Sequence, residues 1–338
     1  MAEESSNNKI RVWSSAFRGF YKPNSKDAKK LDSVSRALFS ARSVILVISF
    51  QAAVIASILS YRAGMFNPLY SILLVFGLMA AHASSNLIND YFGYMRNLDS
   101  KESPRRNYTI HPLASGTFSK RGLRALIGGL LLFSASIGII FTYIHGIVVL
   151  EFTVAGLLIL LFYDTTPITL KEIGLGEIAT FVVWGPLMIG GGYYALTGQL
   201  SIDAFFVSIP YGLGVMSILV GKHIDQMKFD ASKHQKTLPV LLGSANARTL
   251  NVFIIIAMYA LVPIFIFLNA LTIFALVVLM NAPMAASALR VFLHPKPRGP
   301  PRGYVGWPLW YHRYSLINNR NFGWLYILGL LIGAVLAI

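Results

Sequence analysis

Apolar residues run along this chain in blocks about as long as a bilayer is thick, and the polar residues between them form alternately long and short intervals. A spanning helix needs about 20 predominantly apolar residues. Nine stretches approach that length, at 44–60, 67–88, 123–142, 147–163, 175–196, 204–221, 249–268, 271–291 and 322–338. The connections 89–122, 164–174, 222–248 and 292–321 are long and polar, whereas 61–66, 143–146, 197–203 and 269–270 are short. The pattern predicts an all-α polytopic membrane protein with nine transmembrane helices.

Composition points the same way. Of 338 residues, 55% are hydrophobic and only 13% charged, and the mean hydropathy is +0.60, far from a soluble domain. Cysteine is absent, which excludes a disulfide framework, thiolate catalysis and Cys-ligated metal. The net charge of +15 does not signal nucleic acid, because no basic-aromatic fold signature accompanies it. Every Lys and Arg except Arg62 lies in the N-terminal segment, the long loops or their helix ends. By the positive-inside rule the N-terminus and the long loops are cytoplasmic and the C-terminus lies outside. The charge is then topology and attraction to anionic membrane lipid.

Residues 1–42 form a basic cytoplasmic segment and 43–338 the membrane domain. The segment has no apolar run before a small-residue cleavage site, so no cleaved signal peptide is expected. Val12, Trp13, Phe17, Phe20 and Tyr21 interleave with Arg11, Arg18 and Lys22, which fits an interfacial helix; a solvated tail is the other reading. Residues 295–303, rich in Pro and Gly, read as a linker.

Two stretches bring carboxylates to the junction of an apolar run and a basic loop. The first, 86–99, carries Asn86, Asn89, Asp90 and Asp99, with His82 and Asn86 spaced to share a helical face with Asp90. The second, 222–230, carries Lys222, His223, Asp225, Gln226 and Asp230. At ~100° per residue Asp225 points about 140° from Asp230, so it joins a common site only if the helix breaks near it; otherwise it pairs with a lysine. Polar groups at membrane depth are functional candidates by default, and a weak internal repeat places these two helix ends in equivalent positions. Oxygen ligands suit Mg²⁺, which bridges a few carboxylates to substrate phosphates. Arg96, Arg105 and Lys222 are among the cations able to bind such phosphates. Tyr163, Trp184, Tyr193 and Tyr194, near Gly and Pro residues, suit either helix packing or an aromatic wall for an isoprenoid chain and its allylic cation.

The residues Asn86 to Tyr91, His111 to Gly116, Tyr163 to Pro167, Gly174 to Glu177, Gly185 to Leu187, and Asp230 followed by Thr237 to Gly243 resemble the UbiA-type intramembrane prenyltransferases. The branch they look most like is 1,4-dihydroxy-2-naphthoate polyprenyltransferase. The resemblance implies a nine-helix bundle around a central lipid-accessible cavity in a bacterial or archaeal cell membrane, with the site facing the cytoplasm. It further implies two Asp-rich motifs holding Mg²⁺ against an isoprenyl diphosphate, and transfer of the prenyl group to an aromatic acceptor. Asp90, Asp99 and Asp230 are then metal ligands, with Asp225 in compensation, while Asn86 and Tyr163 support the chemistry. Two departures matter: Gly93 and Gln226 stand where the family usually has Asp. They keep open a cyclase that works without an acceptor, and a non-catalytic lipid-binding or transport protein.

Overall fold

The computed structural model describes residues 2–18, 30–99, 110–165, 167–304 and 306–336. Among them there is no strand, and nine helices are long and apolar enough to cross a membrane. Ahead of the spans lie α1 (Ala2–Arg18) and α2 (Ser33–Ser40). The first six spans are α3 (Ser43–Arg62), α4 (Pro68–Met95), α5 (Lys120–His145), α6 (Ile147–Asp164), α7 (Gly176–Thr197) and α8 (Ile202–Ser232). After the short α9 (Leu238–Leu242) come α10 (Ser244–Phe267), α11 (Ile273–Leu293) and α12 (Tyr311–Leu336).

Local chemistry sets the starts of several spans. The Asn67 side chain accepts from the Tyr70 N–H (3.1 Å) ahead of Pro68, Ser119 caps α5 through Gly122 N–H (3.0 Å) and Ser201 caps α8 through Ala204 N–H (3.2 Å). Each satisfies a backbone donor that the first turn leaves open. In the N-terminal segment a helix forms over Ala2–Arg18, and the Trp13 indole donates to Asp32 (3.4 Å); Phe20, Tyr21 and Lys22 lie outside the described residues.

Helix α8 is the axis of the bundle, packed against α7, α10 and α12. Its Val207, Tyr211, Val215 and Ile218 are buried with Ile48, Ala52 and Ile55 of α3 and Phe322 and Tyr326 of α12. Buried tyrosine hydroxyls tie these helices by donating to backbone carbonyls, Tyr211 to Ile48 (2.7 Å) and Tyr326 to Val207 (3.0 Å). Where α7 meets α8, a β-carbon on Gly212 would lie 3.0 Å from the Gly185 Cα, so the paired glycines let the two helices approach closely. The α5 and α6 faces carrying Leu132, Ile139, Ile147 and Leu158 are exposed, as suits contact with lipid.

Four elements depart from the apolar pattern. The last span starts at Tyr311, well before 322. Its first turns look like loop because their polar residues are satisfied by other helices: Tyr259 hydroxyl donates to Asn318 Oδ1 (2.8 Å) and Asn251 to the Ser315 hydroxyl (3.3 Å). Likewise α4 and α8, the longest helices at 28 and 31 residues, carry their helical path through the polar motifs. Within α7, Val183–Gly191 is wound as a π-helix around Pro186. Proline lacks the N–H and crowds the preceding turn, and the wider winding accommodates it; such turns are frequent at functional sites.

Candidate functional site

The two long motif helices end in the same way. Beyond Met95 the chain turns back through Asn97, and beyond Ser232 through His234, each in the left-handed region (φ 55° and 56°). The first reversal is closed by Leu98 N–H donating to Gly93 O (2.9 Å), the second by Gln235 N–H donating to Asp230 O (2.9 Å). The first brings Asp99 over Gly93, where a β-carbon at position 93 would overlap the Asp99 carboxylate. His111 Nε2 lies 3.0 Å from that carboxylate. The carboxylate beyond the helix end thus occupies the space left by the missing side chain of residue 93.

Between the two helix ends lies a polar crevice lined by Arg42, Asn89, Arg96, Asp99, Asp164, Lys171, Lys222, Gln226, Asp230 and Gln235. Asp90 is fully buried and forms a salt bridge with Arg42 at its edge. Asn89 donates to Asp164, whose other oxygen is 3.7 Å from Lys171 Nζ. Arg96 pairs with Glu172 at 2.8 Å, and Gln235 donates to the same carboxylate (3.3 Å). Asp230 Oδ2 is buried without a hydrogen-bond partner, an exception among buried polar atoms that leaves it open to a ligand.

Beside the crevice lies a cavity of about 700 Å³ walled by α3 to α8 and α12. Arg42, Asn89, Asp164 and Lys222 line both spaces. The remaining wall is mainly apolar and aromatic, with Leu78, Phe141, Phe152, Tyr163, Trp184 and Met188 among its residues. His82 is fixed in it: the Trp184 indole donates to the Ser49 hydroxyl (3.0 Å), and that hydroxyl lies 2.8 Å from His82 Nδ1.

The structure brings together Asn86, Asp90, Arg96, Asp99, Tyr163, Lys222 and Asp230 around crevice and cavity. Asn86 donates to Ala41 O (3.0 Å) and lines the cavity. Asp225 is a correction: it is held away from the crevice, accepting from Lys296 (2.8 Å) and from His312 N–H (3.0 Å). The physical reason is that α8 stays unbroken through 225, so the helical phase separates it from Asp230. Arg105 lies outside the described residues. Arg42, Asp164 and Lys171 were not anticipated as site residues. Arg42 reads as a topology charge, yet its left-handed backbone (φ 57°) turns the chain between α2 and α3 and aims its side chain at a carboxylate 48 residues away.

Comparison with known proteins adds three findings. Residues 50–314 match the UbiA prenyltransferase family. Among curated proteins, the chain is 23% identical over 239 residues to UbiA prenyltransferase domain-containing protein 1 of Gallus gallus, covering 70% of each. It is 22% identical over 283 residues to 1,4-dihydroxy-2-naphthoate octaprenyltransferase of Bacillus subtilis, covering 80% of this chain and 87% of the relative. Among solved structures, a UbiA homolog from Archaeoglobus fulgidus bound to GPP and Mg2+ superposes with a TM-score of 0.58 at 16% identity, over 88% of this chain and 99% of the other. The relatives come from an animal as well as from prokaryotes, so the similarity does not assign the chain to a prokaryotic cell membrane.

Proposed function

Because this chain belongs to the UbiA prenyltransferase family, we propose that it transfers a prenyl group from an isoprenyl diphosphate to an aromatic acceptor such as 1,4-dihydroxy-2-naphthoate. The observation that carries this reading is a cation-rich crevice beside a mainly apolar cavity, with Arg42, Asn89, Asp164 and Lys222 lining both. A diphosphate needs the first environment and its isoprenoid tail the second. The name of the Bacillus subtilis relative supports the acceptor.

Mg²⁺ fits the donor set. Among the described residues no three His, Asp or Glu side chains form a metal site by themselves, but Mg²⁺ is commonly bound by one or two carboxylates plus substrate phosphates. Asp230, with its unpartnered buried oxygen, and Asp99 line the crevice and would hold it. Asp90 supports from behind by fixing Arg42. When bound, the ion would neutralise charge building on the departing diphosphate.

The chain's own groups do the rest. Lys222, Lys171 and Arg42 face the diphosphate as the allylic C–O bond breaks and its electron pair leaves with the oxygen. Tyr163, Phe141, Phe152 and Trp184 line the cavity, aromatic residues of the kind that stabilise an allylic cation. The acceptor's ring carbon then forms the new C–C bond. On 1,4-dihydroxy-2-naphthoate that carbon bears the carboxylate, which leaves as CO₂. The positive-inside distribution of Lys and Arg supports a crevice on the cytoplasmic side.

The test is incubation of the purified protein with Mg²⁺ and geranylgeranyl diphosphate, with and without 1,4-dihydroxy-2-naphthoate, and mass spectrometry of all products. A prenylated product formed only with acceptor is expected. An acceptor-independent hydrocarbon or alcohol would replace this reading by a cyclase, and no diphosphate release under either condition would favour a non-catalytic protein.

A further inference from the structure

Helix α1 stands apart from the spans and meets them by one side only. It rests against α2 and α3, with Ala16 buried and the Trp13 indole reaching Asp32 (3.4 Å), the residue that caps α2. The apolar run of α3 begins at 44, directly after the turn from α2, so α1 lies beside the point where the chain enters the membrane. It is not itself long and apolar enough to cross.

The sides of α1 differ in chemistry. Ile10 and Phe17, seven residues apart and hence on one face, are 56% and 45% exposed. At about 100° per residue, Ala16 lies to one side of this pair, towards the protein, and the exposed Arg11 lies to the other. Lys9 is exposed as well. An exposed apolar strip running between a protein-facing side and a cationic side is what a helix lying in the plane of a membrane presents. Residues 1–42 carry nine Lys and Arg against four Asp and Glu, so the charge around the strip complements an anionic surface.

We propose that α1 is a docking surface for anionic phospholipid in the leaflet that α3 enters. Ile10 and Phe17 sit at the acyl boundary, while Lys9 and Arg11 bind headgroup phosphates. A bilayer surface offers these two environments side by side, hydrocarbon beneath the strip and phosphate beside it. Two apolar side chains give weak docking on their own. The cations add selection for anionic lipid, about fivefold in the docking equilibrium for each charge held near such a surface. Docking is independent of the reaction proposed above.

The chain has no cysteine, so a single introduced one is its only thiol label site. Ile10→Cys, Arg11→Cys and Phe17→Cys in the full-length protein each receive a nitroxide. Paramagnetic resonance then reads collision with oxygen, which partitions into hydrocarbon, and with a water-soluble nickel chelate. Nanodiscs of phosphatidylcholine alone and with added phosphatidylglycerol are compared, and Phe17→Cys is repeated with Lys9→Gln and Arg11→Gln. All four positions are exposed, so the substitutions leave the packing of α1 on α2 and α3 intact. With phosphatidylglycerol, the labels at 10 and 17 are expected to meet oxygen in preference to nickel, and the label at 11 the reverse. Removing both cations should lower the docking equilibrium by about 25-fold, fivefold for each, and return the label at 17 towards its value in phosphatidylcholine. A label at 17 more open to nickel than to oxygen in both lipids would overturn the docking surface. Equal docking in the two lipids would overturn its choice of anionic headgroups. Shielding from both reagents would also overturn it, the strip then being covered by protein, and dipolar broadening between labels would identify that protein as a second copy of this chain.

Discussion

Arg42 and Asp90, 48 residues apart in the chain, form a salt bridge whose carboxylate is fully buried. A buried pair contributes little net stability but costs about 3–5 kcal/mol when one partner is removed, because the other charge is left uncompensated. Arg42→Ala is therefore expected to lower the melting temperature sharply and to weaken diphosphate binding. Arg42→Met combined with Asp90→Leu should recover most of the stability while diphosphate binding and prenyl transfer stay lost. Thermal unfolding alongside diphosphate titration separates the two effects. A double variant that keeps full diphosphate affinity would remove Arg42 from the binding site.

Gly93 and Asp99 compete for the same space. Inside a helix, Gly→Ala normally stabilises by up to about 1 kcal/mol, whereas overpacking costs about 1–3 kcal/mol. Gly93→Ala should thus change stability little, but it should push Asp99 off His111 and reduce Mg²⁺-dependent activity. Gly93→Asp, although it restores the acid the family usually has there, should be no better because it displaces another carboxylate. Rates as a function of Mg²⁺ concentration test this. Wild-type kinetics in Gly93→Ala would show that the Asp99 position is unimportant.

The spans were legible because each apolar run is continuous enough to demand a membrane, and helical phase already set Asp225 apart from Asp230. What the phase could not reveal was the partner of Asp225, since Lys296 lies 71 residues away in a Pro-rich stretch. Arg42 was hidden for the same reason, as a charge beside an apolar run reads as topology until the fold brings Asp90 to it. The first turns of α12 were missed because Ser315 and Asn318 look like loop residues until other helices satisfy them. Long-range pairing, more than propensity, separates the sequence reading from the site.

Asp32 caps α2, accepting from the backbone N–H of Val34 and Ser35 (both 3.0 Å) and from the Ser35 hydroxyl (2.5 Å). Burial raises its pKa, but these hydrogen bonds and that from Trp13 outweigh it, and the net shift is below the ordinary 3.8. A folded-state pKa below the unfolded one stabilises the structure fully above the unfolded value, and the contribution is lost as pH falls through the folded value. Hydrogen exchange across 30–42 should therefore be constant from pH 7 down to about pH 4, after correction for intrinsic rates, and rise below it. Asp32→Ala should remove that step and cost about 1 kcal/mol of local stability. Retention of the acid step in Asp32→Ala would assign it to another group.

Asp225 and Lys296 form a latch, with the lysine ammonium 2.8 Å from the carboxylate and 4.8 Å from the centre of the Trp307 ring. His312 N–H donates to the other carboxylate oxygen (3.0 Å), so one buried side chain holds both the linker and the first turn of α12. If its role is to hold this segment, Asp225→Asn should leave Mg²⁺-dependent diphosphate binding within about twofold while loosening the connection, because an amide keeps one acceptor but loses the charge. Asp230→Asn should do the reverse, abolishing Mg²⁺-dependent binding with little change in proteolysis of the linker. Limited proteolysis at Arg298 and Arg302, read beside diphosphate titrations, tests both at once. If Asp225→Asn lost metal dependence while the linker stayed protected, Asp225 would return to the metal site and the latch would be wrong.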